Sequence, residues 1–212
     1  PEIKTLSVEE IAAFMDAAEG CQYYAPLMCC LFLGLREGEA LGLAWEHIDF
    51  ENGKALICQQ LQKEKTAHGA FYIKHSTKTG QSRTLDLPDF LMDILKEEQH
   101  RQTLARIAAG NEWGLCFTDA LGGCINPHTL WANFKRIAKS IGLPDARVHD
   151  LRHTNATLAL VNGVDLKTVQ ANLGHSTAAF TLQRYVHATE QARRAAADQM
   201  QQLYENQIRK AQ

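Results

Sequence analysis

Two kinds of hydrophobic spacing alternate along this chain, and the switch between them limits the folds open to it. "SVEEIAAFMDAA" sets apolar residues at helical intervals, and Ser7 with Glu10 has the spacing of a capping box. This predicts a helix from about Ser7 to Glu19. "YYAPLMCCLFLG" predicts a second helix with Pro26 near its start, and "REGEALGL" a short third. The pattern then changes. "HIDFENGKALICQQLQ" alternates around Asn52-Gly53, a strong hairpin signal, and "GAFYIKHSTKTGQSRTLDL" adds two strand-like runs around "TKTG". Helical spacing returns in "FLMDILKEEQHRQTLARIAA" and in "HTLWANFKRIAKSIG", which Asn126-Pro127 caps and Gly142 ends. Three more helical stretches follow: "VHDLRHTNATLALVNG", "VDLKTVQANLGH" and "STAAFTLQRYVHAT". The expectation is an α+β fold, mainly α-helical, with a small three-stranded antiparallel sheet at one edge.

A chain of 212 residues, 45% hydrophobic and 22% charged, can bury a good core in one or two domains. With no internal repeat or low-complexity linker, it reads as one compact domain over 1–188 and a polar, helix-prone tail over 189–212. No apolar run approaches the roughly 20 residues of a membrane span. The 6 cysteines lack a disulfide-framework spacing, and Cys29 and Cys30 lie in an apolar run, which suits a reducing compartment. Net charge is -2, which speaks mildly against a nucleic-acid partner, although a basic face can coexist with an acidic remainder.

The chemistry-bearing residues gather in a few places. His149 and His153 stand at i and i+4, a metal-pair spacing that His175 and His187 could extend. Arg152 on the same side opposes a dication, and no H-E-x-x-H is present. Cys116, Cys124 and His128 could be imagined around zinc, but no C-x-x-C supports it. An anion fits His149 and Arg152 better, because a guanidinium fork matches phosphate oxygens and a helix start adds N–H donors. The bland alternative is a solvated helix start. His175 follows a helix-stopping Gly174, and Tyr185 lies ten residues beyond it. A phenol beside imidazoles and guanidinium groups can act as a nucleophile, though a half-buried aromatic explains a lone tyrosine as well. Arg36 follows an apolar helix at a glycine-containing junction and either holds a second phosphate oxygen or pairs with Glu37 or Glu39. Lys78 lies at the expected tip of a hairpin, where it is either a solvated edge charge or a proton donor.

Taken in order, Arg36, Lys78, His149-x-x-Arg152, His175 and Tyr185 resemble the active-site series of the tyrosine recombinases, the phage-integrase family. "GLREGEALGLAWEHIDF", "TKTGQSRTL", "HDLRHTNATLALVNGVDLKTVQANLGHST" and "TLQRYVH" carry the likeness over about Thr5 to Ala188. The resemblance is strongest to integrases of bacterial phages and conjugative transposons. It implies a site-specific recombinase that integrates and excises a mobile element on double-stranded DNA in the bacterial cytoplasm. Tyr185 would attack the scissile phosphorus and form a 3′-phosphotyrosine. Arg36, Arg152 and His175 would bind the phosphate oxygens, Lys78 would be the general acid, and His149 would act as base and hydrogen-bond partner. No metal or nucleotide cofactor is implied. The full-length protein would work as a homo-tetramer on DNA, with accessory DNA-bending or directionality factors. Core-binding and arm-binding domains, usual at the family's N-terminal side, are not found in these residues. The tail would dock on a neighbouring subunit or on its own domain. Two rival readings remain open: a type IB topoisomerase with the same chemistry, and a non-catalytic helix-turn-helix module in "NGVDLKTVQANLGHST".

Overall fold

The computed structural model describes residues 5–64, 70–77, 80–109 and 114–174, without the side chains of 105–109. The boundary expected at 188 and the tail at 189–212 lie outside them.

Helix α1 (Val8–Ala18) begins as its sequence predicts: Ser7 Oγ accepts from the Glu10 N–H at 3.2 Å, and the Glu10 carboxylate accepts from the Ser7 N–H at 2.9 Å. Helix α2 (Tyr24–Phe32) is apolar on every side and runs through the interior, with Leu27, Met28, Cys29, Cys30 and Leu31 all buried. It packs against α6 (Val148–Val161) and α4 (Asp89–Ala109), and α1 packs against α5 (Pro127–Ser140). Phe14 and Phe134 close that second contact, with ring centroids 5.6 Å apart. The short helices α3 (Glu37–Leu41) and α7 (Leu166–Leu173) complete the described helical part, with one 3₁₀ turn at Trp45–His47. All six cysteines are free, and burial pushes the Cys29 thiol up to about 12, so it packs as an inert apolar group.

The strands divide into two sheets rather than one. β1 (Ile48–Asp49), β2 (Lys54–Ile57) and β5 (Arg83–Asp86) form the expected three-stranded antiparallel sheet, with β2 central. β3 (Gln60–Lys63) and β4 (Phe71–Lys74) pair separately, Gln60 opposite Lys74. The predicted hairpin at Asn52-Gly53 is present, but with a four-residue loop: Asp49 pairs with Lys54, and the Asp49 carboxylate accepts from the N–H groups of Glu51 and Asn52. The two runs around "TKTG" do not pair with each other, since β4 bonds to β3 and β5 to β2. The strands on either side thus belong to different sheets, and Lys78, expected at a hairpin tip, lies outside the described residues.

One glycine fixes how three helices meet. Gly34, just beyond α2, has φ +63, and a Cβ there would lie 2.6 Å from Leu173 Cδ2 on α7 and 2.8 Å from Asn155 Oδ1 on α6. Asn155 in turn donates to the Phe32 carbonyl at 2.9 Å. Gly34→Ala combines a left-handed backbone with overpacking, and about 2–4 kcal/mol of stability should be lost. Gly20 has φ +72, but a Cβ there would meet nothing within 4 Å, so it isolates the backbone part. Urea unfolding should show a much smaller loss for Gly20→Ala, of about 1 kcal/mol. Equal losses would mean that Leu173 and Asn155 yield freely.

Candidate phosphate-binding site

At the site a buried carboxylate is ringed by guanidinium groups. Arg36 caps the N-terminus of α3, and Glu39 lies one turn on, with its side chain 0% exposed. Arg36 Nη1 donates to Glu39 Oε1 at 2.6 Å, and the Arg36 backbone N–H to Oε2 at 3.0 Å. Arg83, the first residue of β5, adds a bidentate pair: Nη2 to Oε2 at 2.7 Å and Nη1 to Oε1 at 3.2 Å. Arg152 arrives from the first turns of α6, and its Nη1 lies 3.8 Å from Glu39 Oε2. Burial alone would raise the Glu39 carboxyl, but the hydrogen bonds and charge of Arg83, and then those of Arg36, hold it below the usual range. It is an anion at neutral pH.

The same three arginines hold the end of α7. Arg83 Nε donates to the Asn172 carbonyl at 2.6 Å, Arg152 Nη2 to that of Leu173 at 2.5 Å, and Arg36 Nη2 to that of Gly174 at 3.3 Å. Three successive carbonyls at a helix C-terminus thus meet three cations, the favourable sense for the helix dipole. Gly174 ends the helix in the left-handed conformation, φ 61 and ψ 46, as its place in "NLGH" predicts. The other Arg152 nitrogen, Nη1, donates to the Gly34 carbonyl at 2.5 Å. Arg152 is 1% exposed, whereas the Arg36 side chain keeps 20%. The solvated helix start considered for Arg152 is therefore not what forms. Burial, and then the charge of Arg36, push its guanidinium down to about 9, which leaves it cationic at neutral pH.

His149 sits on the first turn of α6, exposed, with its ring edge-to-face on His153 at 4.5 Å between centroids. Lost solvation on the packed side, and then the charge of Arg152, lower its imidazole below the ordinary 6.5, so the neutral, proton-accepting form prevails at pH 7. Arg147 and Asp150 cap the same helix with their own ion pair, Nη2 to Oδ1 at 2.9 Å.

Of the six residues singled out in the sequence, the structure brings Arg36 and Arg152 together and sets His149 on the same helix turn region as Arg152. Lys78, His175 and Tyr185 lie outside the described residues. Among the described residues no group of three metal-ligating side chains forms, and Cys116, considered for zinc, is sealed in the core. The sequence offers Glu39 only as one of two partners for Arg36. It gives no sign of Arg83, although that residue stands inside "TKTGQSRTL".

The phage integrase family model matches residues 4–192. The chain is 34% identical over 215 aligned residues to a XerC-like tyrosine recombinase of Caldanaerobacter subterraneus subsp. tengcongensis, spanning 96% of this chain and 55% of the relative. It is 28% identical to a putative prophage phiRv2 integrase of Mycobacterium tuberculosis, spanning 97% and 53%. The chain therefore spans about half the length of these curated relatives. Among solved structures, the Tn1549 transposon integrase in complex with a circular intermediate DNA superposes with a TM-score of 0.79 at 23% identity, over 94% of this chain and 66% of that one. The XerA recombinase superposes at 0.70 with 22% identity, over 94% and 66%. The fold is thus that of the tyrosine recombinase catalytic domains, and the chain belongs to the phage integrase family.

Proposed function

We propose that this chain is the catalytic part of a site-specific DNA recombinase, which cleaves and rejoins strands of double-stranded DNA to integrate and excise a mobile element. The observation that carries the reading is the convergence of Arg36 and Arg152 on one point from elements far apart in sequence. Arg36 uses only part of its five N–H donors on protein acceptors and keeps 20% of its side chain exposed, so it has donors open to a phosphate, while Arg152 lies behind it with both Nη atoms on carbonyls. The integrases and recombinases among its relatives support the same reading.

In the proposed reaction the Tyr185 oxygen attacks the scissile phosphorus and the bond to the 5′-oxygen breaks. The phenolic proton passes to His149, which is neutral at pH 7 in the free chain. Lys78 gives a proton to the leaving 5′-oxygen. His175 donates to a non-bridging oxygen, and Arg36 and Arg152 stabilise the charge that develops there. Preorganised donors of this kind contribute about 3–4 kcal/mol each to the barrier. The phosphotyrosine conserves the bond energy, so religation needs no nucleotide. Because Arg152 is sealed, a phosphate reaches it only if a carbonyl contact, that of Leu173 or Gly34, is exchanged. The working assembly is a homo-tetramer on DNA, with the tail at 189–212 docked on a neighbouring subunit or on its own domain.

A nicked suicide duplex built from the element's own junction tests the nucleophile. On a denaturing gel the chain should form a covalent adduct that Tyr185→Phe abolishes; an adduct that persists in the variant removes Tyr185 from the role. Relaxation of any supercoiled plasmid, without a paired site, would favour a topoisomerase instead.

The general acid has its own substrate. Sulfur leaves without needing a proton, so Lys78→Ala should cleave a 5′-bridging phosphorothiolate at least about a hundredfold better than the normal diester, within the range general acids supply. Equal impairment on both would assign the proton to another group.

For His149 the folded pKa lies below the unfolded one, so the protonated form is disfavoured in the fold. Stability from this group is present above the unfolded value and is lost as pH falls below it toward the folded value. An NMR titration of the His149 ring in the free chain should show a midpoint below 6.5. A midpoint above 6.5 would mean that Asp150, not Arg152, dominates its surroundings.

A further inference from the structure

Glu39 raises a problem for an anion site. A buried carboxylate next to two phosphate-binding arginines competes directly with the phosphate for their donors. Resting on the strand-cleavage reading above, we propose that Arg83 is a positioning residue that fills two acceptor sites on Glu39 and so keeps Arg152 from closing onto that carboxylate in place of phosphate.

The hydrogen bonds support this by count. A carboxylate has about four acceptor sites. Glu39 Oε1 takes Nη1 of Arg36 and Nη1 of Arg83, and Oε2 takes the Arg36 backbone N–H and Nη2 of Arg83. Those four bonds fill it. Arg152 Nη1, 3.8 Å from Oε2, finds no acceptor site left and bonds to the Gly34 carbonyl instead. Without Arg83 two sites on Glu39 open, and a shift of about 1 Å would close Arg152 onto one of them at ordinary hydrogen-bond length.

The charges agree. Three guanidiniums and one carboxylate carry +2 together; without Arg83 the remainder carry +1. Nor can Arg83 easily swing away to bind phosphate itself. Its side chain is 9% exposed, and its Nε is anchored on the Asn172 carbonyl at 2.6 Å. It stands on β5, so the same contact ties the three-stranded sheet to the arginine pair.

The test uses the 212-residue chain and inorganic phosphate, with the Nε–H resonances of Arg36 and Arg152 as the readout. Arg83→Ala should weaken phosphate binding about tenfold, a modest share of the Coulomb effect of one nearby charge. Adding Glu39→Gln removes the competitor, and the double variant should recover to within about threefold of wild type. A merely structural Arg83 gives no such recovery. Arg83→Lys retains the charge but fills only one site on Glu39, so its loss should be about threefold, and it covers the case in which the alanine variant does not fold. The proposal is overturned if Arg83→Ala or Arg83→Lys binds phosphate as wild type does, if the double variant binds no better than Arg83→Ala, or if phosphate leaves both wild-type resonances unmoved. Adduct formation by Tyr185 is measured on DNA by a separate gel, so failure of the phosphate titration and failure of the strand-cleavage reading are distinguishable.

Discussion

One buried carboxylate, that of Glu39, holds this structure's working parts in register. It collects Arg36 from the cap of its own helix, Arg83 from the edge of the three-stranded sheet, and the charge of Arg152 from α6. The same guanidiniums close on the last carbonyls of α7. Four separate elements are thereby tied through one cluster. Such a cluster adds little net stability, because taking these charges out of water costs about as much as their attraction returns. Its value is geometric: losing one member would leave a charge buried without its partner, so arrangements that displace a member are disfavoured.

Hydrophobic packing supplies what the cluster does not. α2 is buried along nearly its whole length and gives α4 and α6 a common surface. Where it ends, Gly34 lets the chain turn with Asn155 and Leu173 pressed against it. The Gly34 carbonyl points to Arg152, so the end of the apolar core is also a wall of the charged site. Arg152 is thus placed by a helix packed on the core, and Arg36 by the cap of α3 directly after the turn that ends α2.

Local signals are legible in the sequence, and non-local ones are not. The Ser7–Glu10 box, the Asn126-Pro127 start and the Gly174 stop each act within a few residues, and each forms as its spacing indicates. Strand pairing acts at a distance. Nothing in "GAFYIKHSTKTGQSRTLDL" tells that its first run pairs back to β3 while its second crosses to β2. Arg83 is 44 residues from Glu39, and no spacing rule links a strand's first residue to a helix's third. The burial of Arg152 is hidden for a related reason. Helical periodicity marks apolar faces, whereas α6 buries Asp150, Arg152, His153 and Thr154 together, each polar. Lys78, His175 and Tyr185 rest on the family resemblance.

Net charge, like periodicity, says nothing of where charges from distant parts of the chain gather. The chain carries -2 overall, and by that measure it has little reason to attract DNA. The described cluster carries +2 within one small volume, largely withdrawn from solvent, where screening by water and salt is weakest. Under the proposed function, a phosphate entering that volume would meet donors already oriented, with the cost of collecting like charges met during folding by Glu39 and by the carbonyls of α7. Exchange of one carbonyl for one phosphate oxygen would then leave the number of bonds unchanged and replace a partial charge with a full one, and in the proposed reaction that difference is what the site would direct toward a transition state.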